Sequence, residues 1–444
     1  MPEILNARFT RRTFLQGCSA AIAAMAGSRL SNIALAAPGS AYPSEEILLV
    51  VFLRGGWDAL NAAPPIAGPD RDAYVLARPY LKVPASGAGA ALPLNATLGL
   101  HPGLAPLHSL YQAGKVAVVH AVGLQSDTRS HFDAMQFIEL GTPGSKITPT
   151  GWLSRHLSSV GLPSVVTMPA VSASTTQPAS LLGNTETIAA ATLSNFNIGG
   201  NWYWQDFQRL ALRNMYTGDT WLHSAGSQTL DAVDVIESAN PGTYSASNGA
   251  VYPGGSFGDQ LKMLAQLIKM EIGVRVATVD IGGWDTHESQ GDGSGGYFSS
   301  LMTQLGQGLA AFYTDLDGAG ANNFTRKLTV VTMSEFGRRL RENDAGGTDH
   351  GHGSAMFVMG GNVNGGQVYG AWPGLANNQL YDNADLAVTT DYRQVLSEII
   401  VKRLANPSLD AVFPSYTHAP WMNIVRGLDV TQPISQAFLP GVKR

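Results

Sequence analysis

Short runs of apolar residues alternate along this chain with longer segments whose apolar residues recur at helical spacing. The first run, Ile47–Leu53, is apolar throughout and ends at two glycines, which indicates a strand buried on both faces. Helical spacing is clearest at 257–270, where Leu261, Leu264 and Leu267 share one face. This alternation predicts an α/β fold, with a mostly parallel central sheet covered by helices on both faces.

The other predicted elements follow the same pattern. Further strands are expected at 115–122, 164–168, 274–281, 327–333 and 355–359, and further helices at 103–113, 127–140, 152–160, 298–316 and 390–404. The stretch 175–255 mixes polar loops with helical patches at 203–215 and 228–238. We interpret it as a helical cap inserted into a single α/β domain that spans residues 37–444.

Residues 1–36 have the organisation of an export signal. Arg11 and Arg12 precede a weakly apolar, alanine-rich stretch, and residues 34–36 form a small-x-small cleavage pattern. This order predicts a twin-arginine signal peptide and a periplasmic or secreted location. An ordinary amphipathic first helix is the alternative interpretation.

Charge and cysteine usage exclude several classes of function. The formal net charge is −5 and no long basic run occurs, which argues against nucleic acid as a partner. The single cysteine, Cys18, lies in the predicted signal, so the mature chain has no disulfide or thiolate chemistry. No other segment reaches the ~20 uninterrupted apolar residues that a membrane span needs.

Residues with ligand chemistry follow two of the predicted strands at a repeated motif. Gly-Gly-Trp-Asp occurs at 55–58 and again at 282–285, and His287 follows the second copy. In open α/β sheets the binding crevice lies at the carboxyl ends of the strands, so Asp58 and Asp285 are expected near one another. The Asp-x-His spacing lets Asp285 and His287 reach one ion. Asp58 is alternatively a helix N-cap, and the repeat a chance likeness of two glycine turns.

Two further segments carry the same kinds of side chain. Ser130 is a candidate nucleophile or a helix N-cap, and His131 is a candidate ligand or an ordinary hydrogen-bonding residue. Glu335 comes where a strand ends, and His350 and His352 are flanked by glycines that let both rings turn inward. A solvated polar loop is the alternative interpretation of this last segment.

Carboxylates and imidazoles are hard or borderline ligands. They suit divalent ions such as Zn, Mn, Fe or Mg, and one or two such ions can hold the oxygens of a phosphoryl or sulfuryl group. Arg54, Arg129 or Arg338 could clamp a small anionic substrate, or could instead form ordinary salt bridges.

Together these segments resemble the DUF1501 family. The resemblance spans nearly the whole mature chain and rests on the twin-arginine start and on Phe-Leu-Arg-Gly-Gly-Trp-Asp-Ala-Leu-Asn at 52–61, Arg-Ser-His-Phe at 129–132, Gly-Gly-Trp-Asp-Thr-His at 282–287, Ser-Glu-Phe-Gly-Arg at 334–338, Gly-Thr-Asp-His-Gly-His-Gly at 347–353 and Asp-Tyr-Arg at 391–393. It implies kinship with the alkaline phosphatase and sulfatase superfamily. That kinship implies a three-layer sandwich and a two-metal hydrolytic site.

The resemblance also implies a role for each ligand residue. Asp58 matches the aspartate after the first strand, which holds one metal. Asp285 and His287 match the ligands of the other metal, and His350 or His352 completes that set.

The chain departs from the superfamily pattern at the strand-end Asp-His pair. Glu335 stands for the aspartate and Phe336 for the histidine, so His131 would have to substitute for the missing imidazole. Ser130 stands where the nucleophile stands. The chain has no Cys-x-Pro-x-Arg motif, which excludes a formylglycine mechanism that starts from cysteine.

The expected function is therefore an exported, metal-dependent hydrolase of a phosphate or sulfate ester. Ser130 or a metal-activated water would attack, and an arginine such as Arg129 or Arg338 would orient the anion. The alternative is a non-catalytic binding or assembly protein of the cell envelope that keeps the hydrolase fold.

Overall fold

The computed structural model describes residues 45–162, 168–184, 186–193, 196–199, 202–238 and 241–427. The predicted signal peptide at 1–36 lies outside the described residues, as does most of the strand predicted at 164–168.

Strands and helices alternate along the described chain. The strands are β1 (Ile47–Leu53), β2 (Leu92–Pro93), β3 (Gly99–Leu100), β4 (Val116–Gly123), β5 (Ala170–Ser172), β6 (Thr187–Ala189), β7 (Val276–Ile281), β8 (Leu328–Met333), β9 (Arg338–Glu342), β10 (Thr348–His350), β11 (Ser354–Gly360), β12 (Val368–Tyr369) and β13 (Thr390–Asp391). The α-helices are α1 (Ala59–Ala62), α2 (Pro69–Ala77), α3 (Ala105–Gln112), α4 (His131–Leu140), α5 (Trp152–Val160), α6 (Gln205–Met215), α7 (Trp221–Ser238), α8 (Ser256–Lys269), α9 (Gly296–Leu316), α10 (Tyr392–Lys402) and α11 (Leu409–Val412).

A nine-stranded sheet forms the centre of the described structure. Its strand order is β12-β4-β11-β8-β1-β7-β5-β6, and β13 also pairs with β4. The strands run parallel except β11, which is antiparallel to both β4 and β8. The prediction of a mostly parallel central sheet is confirmed.

Helices cover both faces of this sheet because successive side chains of a strand point to opposite sides. Leu49 and Val51 of β1 lie in a hydrophobic cluster with residues of α3, α8 and α9. Leu48 and Val50 lie in a second cluster with residues of α4, α5 and α10. All seven residues of β1 are buried, and each such aliphatic side chain contributes about 1.5–3 kcal/mol relative to exposure.

A short strand, β5, follows the range predicted at 164–168. Met168, the one described residue of that range, is not in a strand, and β5 begins after Pro169. Proline lacks an N–H to donate to a sheet, yet its carbonyl still accepts, and here it receives the backbone N–H groups of Arg275 and Val276. The proline carbonyl therefore helps to join β5 to the neighbouring β7.

The stretch 175–255 contributes both to the sheet and to a separate pair of helices. β6 joins the edge of the central sheet next to β5. Leu212 of α6 packs with Leu230 and Val233 of α7, and Arg213 pairs with Asp231 at 2.8 Å. No helix within the described ranges combines the length and the apolar character needed to cross a membrane.

Candidate metal centre

Five of the side chains predicted to form a site meet beside the centre of the sheet. Asp285 and His287 follow β7, and Glu335 follows β8, the two strands on either side of β1. His350 ends β10, and His131 begins α4. Parallel strands deliver their carboxyl ends to one edge, which brings residues from distant parts of the sequence together.

Three imidazoles surround one carboxylate oxygen at the middle of this group. Asp285 Oδ1 lies 3.1 Å from Nε2 of His287, 3.1 Å from Nε2 of His350 and 3.3 Å from Nε2 of His131. The Nε2 atoms of His287 and His350 are 2.9 Å apart. Ligand atoms of His131, Asp285 and His350 all lie within 4.8 Å of one another, a spacing that could hold one ion.

The other nitrogen of each ring, Nδ1, contacts an oxygen of the protein. The three partners are Glu335 Oε1 at 2.7 Å from His131, the Arg129 carbonyl at 2.8 Å from His350, and Asp349 Oδ1 at 3.2 Å from His287. A carbonyl or ionised carboxylate only accepts, so each Nδ1 carries the proton and donates it. A neutral ring in this tautomer presents the lone pair of Nε2 to the centre, as metal-ligating histidines do.

This arrangement fits a divalent cation. Two neutral rings with Nδ1 protonated would face each other with lone pairs at the His287–His350 contact, and a cation between them removes that repulsion. His131 Nε2 is buried and has no hydrogen-bond partner within the described structure. Three nitrogens and one oxygen are a donor set that suits Zn²⁺. The side chains of Asp285 and His287 are 48% and 44% exposed, which leaves one side of the group open to solvent.

The protein sets the charge of these groups. Burial acts to raise the pKa of Asp285, but the hydrogen bond and the charge of Arg338 outweigh it and hold that pKa at about 2. The hydrogen bond to Glu335 raises the pKa of His131, whereas burial lowers the pKa of His350. Asp285 is therefore a carboxylate at neutral pH, and His350 favours the neutral form that a metal requires.

Arg338 lies in the protein interior and does not clamp an anion. Each of its guanidinium nitrogens already donates within the protein, to the carbonyls of Gly55, Gly56, Trp284 and Thr348 and to Asp285 Oδ1. It is 1% exposed, so its charge neutralises Asp285 and ties the two Gly-Gly-Trp-Asp corners together.

Asp58 does not join the ligand group. Its side chain is fully buried, and Oδ2 accepts from Arg78 Nη1 at 2.5 Å and from Gln290 Nε2 at 2.7 Å. Arg78 follows α2 and neutralises the carboxylate where the resemblance implied a metal. The residue therefore has a structural ion pair in place of a cation.

The remaining predicted residues lie around the centre. Ser130 caps α4 and directly precedes a ligand. The guanidinium of Arg129, a candidate for binding a substrate anion, is paired with Asp385 at 2.5 Å. His352 stacks on Tyr381 with ring centroids 4.2 Å apart and is not among the converging imidazoles. Arg54, the other proposed clamp, is likewise paired, with Glu139 and Asp280.

Sequence reasoning missed the partners that orient these groups. Asp349 stands beside His350 in the predicted motif, and an Asp-His pair in a glycine-rich loop could have marked it as a partner for an imidazole. Arg78 and Gln290 belong to no motif, because their roles depend on contacts with residues far away in sequence.

Comparison with known proteins identifies a family for most of this chain. A family model described as "Protein of unknown function (DUF1501)" matches residues 116–400. No curated protein and no solved structure matches the chain significantly. The matched range includes His131, Asp285, His287 and His350, and it excludes Asp58.

Proposed function

The chain belongs to the DUF1501 family, whose function is unknown, and on that premise we propose that it is a metal-dependent hydrolase of a phosphate or sulfate ester. The observation that carries the proposal is the group of three imidazole Nε2 atoms around Asp285 Oδ1. Export by the twin-arginine route belongs to the same proposal and rests on residues 1–36 alone. Helices on both faces of a mostly parallel sheet support an alkaline phosphatase-like three-layer arrangement.

His131, Asp285, His287 and His350 would hold one divalent ion. When bound, such an ion supplies Lewis acidity, which lowers the pKa of water and neutralises charge on the oxygens of the ester. Glu335 keeps the His131 ring in the tautomer whose Nε2 faces inward, as Asp349 and the Arg129 carbonyl do for the other two rings.

One ion, rather than two, agrees with the charges around the centre. The superfamily resemblance implies a second metal at Asp58, but Arg78 already supplies a positive charge there. Arg338 supplies another beside Asp285. With each of these carboxylates paired to a guanidinium, Glu335 and Asp349 remain as the carboxylates beside the imidazoles, and one divalent ion balances their two negative charges.

Ser130 is the candidate nucleophile. Its Oγ accepts the backbone N–H of Asp133 at 3.4 Å, which leaves its own proton available for transfer. Ser130 directly precedes His131 at the N-terminus of α4, so the hydroxyl and a ligand belong to the same helix end.

The test is to measure metal content and turnover on the same purified, processed protein. We expect about one equivalent of Zn²⁺ or Mn²⁺, lost in Asp285→Ala, and hydrolysis of at least one chromogenic phosphomonoester, phosphodiester or sulfate ester. Ser130→Ala should keep the metal and lose turnover if the hydroxyl attacks. Retained turnover would assign the attack to water.

The occupied guanidinium groups of Arg54, Arg129 and Arg338 favour the alternative, a non-catalytic binding or assembly protein of the cell envelope. A stable protein that contains no metal and turns over none of the esters would support this alternative and contradict the hydrolase.

A further inference from the structure

A buried glutamine connects the segments that carry the ligands. Gln290 lies in the loop between β7 and α9 and is 1% exposed. It belongs to no motif in the sequence, and it is not among the converging ligands. Burying a primary amide is unfavourable unless its donors and acceptors have hydrogen-bond partners, and the protein provides such partners for Gln290.

The contacts of Gln290 define the orientation of its amide. Nε2 lies 2.7 Å from Asp58 Oδ2 and must be the donor, because an ionised carboxylate can only accept. Oε1 therefore faces the other way and accepts two hydroxyl groups, from Thr286 at 2.8 Å and from Thr348 at 3.1 Å.

Both threonines are next to ligands. Thr286 lies between Asp285 and His287, and Thr348 lies two residues before His350. The two segments also touch through their backbones, since the N–H of Thr348 donates to the carbonyl of Thr286 at 3.0 Å. A single acceptor on Gln290 therefore fixes the distance between the segments that carry three of the four ligands.

The segments around Thr286 and Thr348 are packed closely against each other. A Cβ added to Gly347 would lie 2.3 Å from the carbonyl carbon of His287 and 2.4 Å from the oxygen of Thr286. The glycine is required here because the two backbones approach each other directly. Such contact makes the Nε2 positions of His287 and His350 sensitive to small shifts.

The other end of the connection is anchored in the core. Asp58 and Arg78 are both fully buried and paired at 2.5 Å, so the acceptor of Gln290 Nε2 is held in place. We propose that Gln290 is a positioning residue that fixes Asp285, His287 and His350 relative to one another, and that Asp58 is its anchor. This inference rests on the proposed function in that the three ligands are taken to hold one ion.

The first test compares two buried glutamines by Co²⁺ titration of the processed protein. Gln290→Met removes the hydrogen bonds and keeps the length of the side chain. Gln266→Met is the matched control, because Gln266 is buried in α8, a helix without ligands. We expect Gln290→Met to weaken Co²⁺ binding about 10–100-fold and to change its d–d absorption, and the control to match the unmodified protein within about 2-fold.

Two outcomes would overturn the proposal. One is a Gln290→Met protein with the affinity and the absorption spectrum of the unmodified protein. The other is equal loss of affinity in both variants with an unchanged spectrum, which would indicate general destabilisation.

If the unmodified protein binds no Co²⁺, the proposed function is contradicted. The positioning role of Gln290 is then tested on the metal-free protein. Long-range imidazole ¹⁵N spectra of the metal-free protein report the tautomers of His287 and His350. Positioning predicts that both rings lose their uniform Nδ1–H state in Gln290→Met, and unchanged spectra would refute it.

The second test replaces the amide of Gln290 by a carboxylate at the 2.7 Å contact with Asp58. Gln290→Glu places two carboxylates in contact and should weaken Co²⁺ binding by about 10–100-fold. An affinity equal to that of the unmodified protein would contradict the positioning role.

Discussion

The two Gly-Gly-Trp-Asp corners begin alike and end in different chemistry. They follow β1 and β7, which are adjacent parallel strands. Both tryptophans, Trp57 and Trp284, are fully buried and meet edge to face with ring centroids 5.9 Å apart. Yet the side chain of Asp58 is fully buried, and that of Asp285 is 48% exposed.

The surroundings of each corner account for the difference. At the first corner, Arg78 comes from the end of α2 and closes the carboxylate into the core. At the second, His131 and His350 from other segments contact the aspartate together with His287, which lies two residues further along the chain. The motif thus delivers an aspartate to a strand end, and residues outside the motif decide whether it becomes a core ion pair or a ligand.

The largest difference between the corners should appear in stability. Asp58→Ala leaves the buried Arg78 without its counter-charge and should cost about 3–5 kcal/mol in the free energy of unfolding. Asp285→Ala should cost less, about 1–3 kcal/mol, because the side chain of Asp285 is 48% exposed and water can take its place beside Arg338. Urea unfolding of the metal-free proteins measures both changes in the free energy of unfolding. Equal losses would contradict the proposed difference between the two corners.

Acid should lower the stability of the protein by protonating His101, a buried residue close enough to Asp58 for the two charges to interact. Burial lowers the pKa of His101 to about 4, against about 6.5 in the unfolded chain, and the charge of Asp58 only partly opposes this. The unfolded state therefore binds more protons between these values, and stability falls as the pH drops from about 6.5 to 4. His101→Asn should remove about 3 kcal/mol of that loss at pH 4, measured as unfolding free energy against pH. Parallel curves for the variant and the unmodified protein would contradict the shift.

For metal affinity the order should reverse, so that a substitution at the second corner has a larger effect than one at the first. Asp285→Asn should weaken Zn²⁺ binding by more than about 100-fold, beyond the range for an outer contact. Asp58→Asn keeps an acceptor for Arg78 and Gln290 and should lose less than about 10-fold. Competition with a chromogenic chelator gives both constants. If Asp58→Asn lost as much as Asp285→Asn, Asp58 would be a ligand.

An effect smaller than that of Asp285→Asn is expected at the outer contact of the second corner. Glu335→Gln replaces the carboxylate that orients His131 with an amide that can present either end to the ring. Zn²⁺ affinity should fall about 10–100-fold. His352→Gln is the control, since His352 stacks on Tyr381 outside the centre and should leave the affinity unchanged.

The sequence predicted the elements of this fold better than the roles of its charged residues. Strand β1 is a continuous apolar run and β4 is interrupted only by His120, a local property that one sequence displays. The sequence did not predict β5 after Pro169, because the acceptor role of a proline carbonyl depends on a neighbouring strand.

For the site, residue type and position after a strand were enough to find Asp285 and His287. They could not tell Asp58 from Asp285, since Arg78 approaches only one of the two. They also could not separate His350 from His352, because residues on either side of a glycine can turn in different directions. Long-range contacts decided each of these cases.

The place of β1 in the sheet has a consequence for synthesis on the ribosome. Its neighbours are β7 and β8, whose first paired residues are Val276 and Leu328. At ~5–20 residues per second, β1 waits roughly a quarter of a minute to a minute for its second neighbour. Until β7 has been synthesised, the nascent chain exposes β1 as an unpaired, aggregation-prone apolar segment. We therefore expect the nascent chain to need protection of β1 during the first part of its translation.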